Sequence, residues 1–473
     1  LQVLFPTVDY ALFFLVAFAA SWALAKRLVA HKGFLLAASY VFYGAWDWRF
    51  LPLLLGLSLQ AAWLAQALEL DLAPRARRAL LALGVTASLA TLALFKYLAF
   101  GLGAVVAAAE ALGLSLPTAR VPEVALPVGI SFFTFHAISL LVDAYRRRIP
   151  VPVRTLDALL YVAFFPQLVA GPILRAASFL PALATPRDPA NVSLTDGLWR
   201  LAVGLVKKVF VAQVLATALV DPVFENPGAH GGLEVLLAVY AYAVQIYCDF
   251  SGYSDLAIGS ALLLGYVIPE NFRAPYVADS PREFWRRWHL SLSTWLRDYL
   301  FIPLGGSRGT AARTAAALFL TMLLGGLWHG AAWTFVVWGA FHGAWLVLHR
   351  IWSGTSLARA LAGRLAWRVV ATVGTFHLVC LGWVLFRAPT LAVAGDVLST
   401  ISQGTSGPVR LSLVVVVALS LASQWVPDAV ESAWRARLAR LPAPVQGAAF
   451  AGLVVLLDAL GPRGVAPFIY FQF

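Results

Sequence analysis

Apolar residues in this chain gather into long runs separated by short polar breaks, many of them basic. The runs fall near 8–25, 33–46, 48–68, 79–95, 97–113, 125–142, 156–172, 197–220, 232–250, 313–327, 329–350, 366–386, 409–425 and 444–460. The hydrocarbon core of a bilayer is about 30 Å thick, and an α-helix crosses it with roughly 20 apolar residues. The pattern therefore predicts an all-α polytopic membrane protein with about eleven transmembrane helices, the shorter runs being re-entrant or interfacial. No repeat of fixed period is visible and no long polar linker divides residues 1–473, so a single membrane domain is expected.

Three stretches depart from simple spans. Phe164–Arg175 (FFPQLVAGPILR) carries two prolines and a glycine, which disfavour a straight helix. Backbone groups freed at membrane depth are tolerated only inside protein or beside a wet cavity. Tyr247–Asp255 (YCDFSGYSD) places Asp249, Ser251 and Asp255 in otherwise apolar sequence. A carboxylate at the bilayer centre costs about 2.5–3.5 kcal/mol on insertion scales, so neither aspartate is expected to face lipid. One reading makes them helix–helix glue or partners of arginine; the other makes them a polar cavity wall. In Ser280–Leu300, Ser280 suits a helix cap, Pro281 the first helical position, and Glu283 follows the cap by three residues. With Trp285, Trp288 and Trp295 among arginines, this stretch reads as an interfacial or cavity-lining amphipathic helix. On such a helix Arg286, His289, Ser293 and Arg297 share one face.

Composition strengthens the membrane reading. The chain is 61% hydrophobic and 12% charged, with a mean hydropathy of +0.80. Soluble domains run at about 45–50% apolar and about 25% charged. The net charge of +12 does not imply nucleic acid, because the basic residues lie in clusters beside apolar runs and no reading module appears. Lys26, Arg27 and Lys32 after the first run favour its C-terminal end in the cytoplasm and the N-terminus outside. Cys248 and Cys380 sit in apolar contexts and read as small buried hydrophobes, with no disulfide framework or metal cage. The chain starts at Leu1, which suits a processed start. No cleavable signal peptide is expected, since no basic region precedes the apolar run from Val8.

Among eight histidines, most have plain explanations. His31 and His230 fall in expected loops, His377 in an apolar run, and His342 and His349 on one helix face near an expected wet edge. His329 has unusual neighbours. Gly325, Gly326 and Gly330 permit close backbone approach or a helix break, and Trp328 and Trp333 offer aromatic walls. A histidine there can accept a proton from a substrate hydroxyl, or simply bridge helices through hydrogen bonds. Gly305–Gly309 matches G-x-S-x-G in letters only, because that motif needs a strand–turn–helix elbow. No P-loop, dinucleotide fingerprint or H-E-x-x-H site is present.

Three blocks resemble the membrane-bound O-acyltransferases, and within them the bacterial branch that includes the alginate O-acetylation membrane subunit. They are Tyr247–Tyr276, Glu283–Gly306 and Leu320–Gly343, with weaker echoes at Ala38–Tyr43, Val128–Phe135 and Phe468–Phe471. The resemblance implies that His329 is the family's signature catalytic histidine and that His289 is the second functional histidine of the bacterial branch. It implies a ring of transmembrane helices around a central tunnel, for which Trp328, Asp249, Ser251, Asp255, Trp285, Arg286, Ser293 and Arg297 are wall candidates. No metal and no permanently bound cofactor are implied. The acyl donor would be acetyl-CoA or an acyl carrier protein thioester, met from the cytoplasmic side of a bacterial inner membrane. The acceptor would be a periplasmic acetyl-transfer protein or a polysaccharide such as alginate. Peptidoglycan O-acetylation and teichoic-acid D-alanylation stand as alternatives, since the three blocks are common to all of these. A transporter is a further alternative, because broken helices and intramembrane carboxylates also mark transport pathways.

Overall fold

The computed structural model describes residues 7–114, 125–407 and 409–460, and every regular element among them is helical. The echo at Phe468–Phe471 lies outside the described residues. Seven helical stretches are long and apolar enough to cross a membrane; the pair Leu411–Trp425 and Asp428–Leu438, bent by 92°, would make eight. This differs from the eleven expected because neighbouring runs fuse. Runs 33–46 and 48–68 merge into Leu28–Glu69 (42 residues), and runs 79–95 and 97–113 into Pro74–Ala111 (38 residues). At about 1.5 Å per residue, either is longer than one straight crossing. Other runs give shorter helices, such as Val8–Leu24 and Ile130–Tyr145.

The chain divides into two packed units, Leu1–Val192 with Ser260–Ile268, and Ser193–Gly259 with Pro269–Phe473. In the first, the Pro/Gly stretch behaves as its composition predicts. The helix Thr155–Ala163 stops at Phe164, one short turn follows over Phe165–Leu168, and the chain then runs without helix to Ala176. The freed groups find side-chain partners. Ser39 Oγ accepts from Phe165 N–H at 3.1 Å, Gln167 Nε2 donates to Tyr161 C=O at 2.9 Å, and Tyr161 Oη donates to Leu174 C=O at 2.9 Å. Leu174 N–H in turn donates to His136 Nε2 at 3.3 Å. Irregular backbone is thus buried in protein, as an apolar surrounding requires. Lys32 is also internal to this unit, 2.5 Å from Asp157 with only 2% of its side chain exposed. It serves as a core ion-pair partner, which removes it from the headgroup cluster read from the sequence.

In the second unit, the polar run Tyr247–Asp255 does not interrupt its helix, which extends over Gly232–Leu263. Glycines let the helix Leu194–Leu205 approach it closely. A Cβ on Gly204 would lie 2.7 Å from Gly252 C=O, and one on Gly259 would lie 2.9 Å from Gly197 C=O. Close backbone approach of this kind supplies the van der Waals contact that lipid-embedded helices depend on. The same approach delivers cations to both aspartates. Arg200 and Lys207 reach Asp255 at 2.8 and 2.7 Å, and Lys208 pairs with Asp249. Of the two readings of these carboxylates, the geometry carries the one in which they hold helices together.

Candidate active site

His329 is the last residue of the helix Ala311–His329, and Gly330 leaves helical conformation to begin a short link to the helix Trp333–Ser353. The two helices pack closely because Gly326 and Gly339 face one another: a Cβ on Gly326 would stand 2.8 Å from Gly339 Cα. At Gly330 a Cβ would run into the Phe335 ring. The glycines therefore serve both purposes read from the sequence, close approach and a helix end. The imidazole is buried, 3% exposed, with ring centroids of Trp328, Trp338 and Phe386 at 5.0, 5.1 and 5.3 Å. Trp333, expected as a wall, is 57% exposed. Trp338 and Phe386 also line the ring, and nothing in their spacing to His329 marks them in the sequence.

His289 lies at a break in the chain. Ser280 Oγ caps Glu283 N–H at 3.3 Å as its position predicts, but the helix that follows covers only Pro281–Trp285. A second helix, Leu290–Leu296, starts after His289, whose φ of 44° is left-handed. A single helix face carrying Arg286, His289, Ser293 and Arg297 does not form. A left-handed residue reverses the local path, and histidine is one of the side chains that enters this region more readily than most. Arg286 and Arg297 have side chains 57% and 59% exposed and pair with Glu283 and Asp298 at 2.9 and 2.7 Å. Ser293 is half-buried and donates to Trp288 C=O at 3.2 Å.

The break is held by a second strip of chain. Arg273 N–H donates to Arg287 C=O at 3.0 Å, and Leu290 N–H to Asn271 C=O at 2.9 Å. Asn271 Oδ1 lies 3.0 Å from His289 Nδ1, 3.2 Å from Ser291 N and 2.9 Å from Ser291 Oγ, while Asn271 Nδ2 donates to Ser254 Oγ at 3.1 Å. The ring of His289 is fully buried, against Phe250 at 4.6 Å and Phe272 at 6.4 Å. Burial pushes its pKa down to about 3, because a charged imidazolium is poorly solvated there. Its Nε2 is buried and has no hydrogen-bond partner among the described residues.

The indole of Trp328 joins the two histidines, with its centroid 6.2 Å from His289 and 5.0 Å from His329. On the far side of Trp338 stands His342, ring centroids 4.7 Å apart, fully buried rather than at a wet edge. Trp285 packs edge-on to both Trp338 and His342. Ser251 is buried on the Gly232–Leu263 helix with no partner for its Oγ among the described residues. Of the residues singled out from sequence, the structure thus groups His289, Trp328, His329 and Trp285 in one aromatic set. It assigns Asp249 and Asp255 to ion pairs, and Arg286 and Arg297 to exposed ones. Among the described residues, no group of His, Cys, Asp and Glu has the arrangement of a metal site.

A buried imidazole with an available ring nitrogen can take a proton from a hydroxyl, and aromatic walls exclude water from the exchange. Comparison with known proteins gives the family. Residues 84–387, which include both histidines and Asn271, match the model of the MBOAT, membrane-bound O-acyltransferase family. The chain is 44% identical to the probable alginate O-acetylase AlgI of Pseudomonas aeruginosa over 361 residues, 76% of this chain and 67% of that protein. Against the protein of the same name from Pseudomonas putida it is 38% identical over 468 residues, 93% of this chain and 94% of the relative. A peptidoglycan O-acetyltransferase of Helicobacter pylori is 34% identical over 406 residues, covering 80% of this chain and 74% of the relative. With its helical, lipid-compatible architecture and this match across most of its length, the chain belongs to the membrane-bound O-acyltransferase family.

Proposed function

We propose that this enzyme moves an acetyl group from a cytoplasmic thioester donor, acetyl-CoA or a carrier-protein thioester, to an acceptor hydroxyl on the other side of a bacterial inner membrane. The acceptor is an exopolysaccharide such as alginate, reached directly or through a periplasmic acetyl-transfer protein. The observation that carries the reading is the pair of buried imidazoles joined by one indole, His289 and His329, within the segment that matches the family. In the transfer, one imidazole nitrogen accepts the hydroxyl proton as the oxygen attacks the thioester carbonyl. The C–S bond then breaks, and the departing sulfur takes the proton back from the imidazole. His329 and His289 hold the reacting oxygen between them. The alginate acceptor follows the names of the relatives from Pseudomonas; the relative from Helicobacter pylori makes peptidoglycan the second acceptor to test.

The test uses the full chain in proteoliposomes with acetyl-labelled donor outside and alginate oligosaccharide or peptidoglycan fragments inside. Label should appear on the alginate fragments and fall by roughly 100-fold or more with His329→Ala, the scale for loss of one of the two imidazoles that act on the reacting oxygen and its proton. Full transfer by a well-folded His329→Ala protein would overturn the assignment. Label on the peptidoglycan fragments alone would move the acceptor to the second reading. Passage of a solute with no acyl transfer would favour a transporter.

A further inference from the structure

We infer that Asn271 is a positioning residue that fixes His289 as its Nδ1–H tautomer and so leaves Nε2 as the proton-accepting atom of the site. The inference deepens the proposed function and rests on it for the role of the proton, though not for the tautomer. The argument starts from Ser291. Its backbone N–H can only donate, and it reaches the same Asn271 side-chain atom, at 3.2 Å, that lies 3.0 Å from His289 Nδ1. That atom must therefore be the amide oxygen, which can only accept, and the amide nitrogen is accounted for by Ser254 Oγ at 3.1 Å. A neutral imidazole facing a carbonyl oxygen through Nδ1 has to carry its proton there. The lone pair is then at Nε2, the buried atom left without a partner among the described residues.

Burying an imidazole nitrogen with nothing to bond costs free energy, so a retained lone pair of this kind fits an atom whose partner arrives with the substrate. The backbone supports the same arrangement. Ala274 and His289, two of the three positive-φ residues other than glycine among the described residues, lie at either end of the strip-to-break junction that Asn271 closes. In the transfer step, the acceptor O–H proton passes to Nε2 and the oxygen bonds to the acetyl carbon. The imidazolium then holds two protons, one at Nδ1 kept by Asn271 Oδ1, until Nε2 returns its own to the departing sulfur. In the opposite tautomer Nδ1 would be bare against a carbonyl oxygen and Nε2 could not accept.

Carbon–nitrogen correlation NMR of the full chain in bilayers, with labelled histidine, reads the tautomer directly. The His289 signals are identified by their loss in His289→Gln or, if that variant folds poorly, in His289→Asn. The expected result is a protonated Nδ1 and an unprotonated Nε2 at His289. In Asn271→Leu the Nδ1–H preference should be lost and kcat should fall roughly 10- to 100-fold, the scale seen when a group orienting a functional histidine is removed, with KM for the donor little changed. Asn271→Asp keeps an acceptor oxygen, so it should restore the Nδ1–H tautomer and part of kcat. A wild-type His289 protonated at Nε2, or an Asn271→Leu protein that keeps the Nδ1–H tautomer and wild-type kcat, would overturn the inference. Full activity in His289→Gln would instead sink the proposed role of His289 and leave the tautomer assignment standing.

Discussion

His289 precedes a helix of seven residues, and His329 ends one of nineteen. His329 owes its place to helix packing, in which Gly326 meets Gly339 and the rings of Trp338 and Phe386 close around the imidazole. His289 owes its place to hydrogen bonds, in which a strip of chain and the Asn271 amide pin a left-handed residue between two short helices. The difference teaches that shape can locate an imidazole, whereas choosing which nitrogen holds the proton takes a directed acceptor.

The comparison can be broken at several points. Trp338→Ala, at a residue 1% exposed, should lose about 3–5 kcal/mol of stability by emptying the wall beside His329. Thermal unfolding in detergent measures this, and the His289 tautomer signals should stay unchanged. If they move, the two settings are coupled through Trp328. Asp255→Ala strands the Lys207 ammonium and should cost on the order of 3 kcal/mol, while turnover per folded molecule holds. A fall in turnover at normal stability would return Asp255 to the cavity wall. Ser291→Ala removes one donor to Asn271 Oδ1 and should cost about 0.5–1.5 kcal/mol, with a small fall in kcat and no effect on the helix that carries His329. The smallest effects belong to Arg286→Ala and Arg297→Ala, whose exposed ion pairs are worth less than about 1 kcal/mol each. A large loss of donor binding in either variant would show that these arginines touch substrate after all.

Much of the fold was legible in the apolar runs, because a span must be apolar along its whole length whatever it packs against. The break at Pro166 and the Ser280 cap were legible for a similar reason, since proline and serine act on backbone within a few residues. The left-handed turn at His289 was not, because what holds it is Asn271, eighteen residues earlier in the chain. Trp338 and Phe386 escaped for the same reason: their approach to His329 depends on how helices meet. His329 stood out through its glycines and its family signature, whereas His289 was marked by a helix face that does not form and by the resemblance.

The close contact between Gly326 and Gly339 also bears on how the enzyme is made. It joins two helices that are consecutive in the chain, so their meeting closes only a short loop and costs little chain entropy. The Asn271–His289 link is local in the same sense. Every side chain placed here against either imidazole comes from sequence ending at Phe386. During synthesis, these contacts of both histidines can therefore form while the ribosome is still translating the last helices.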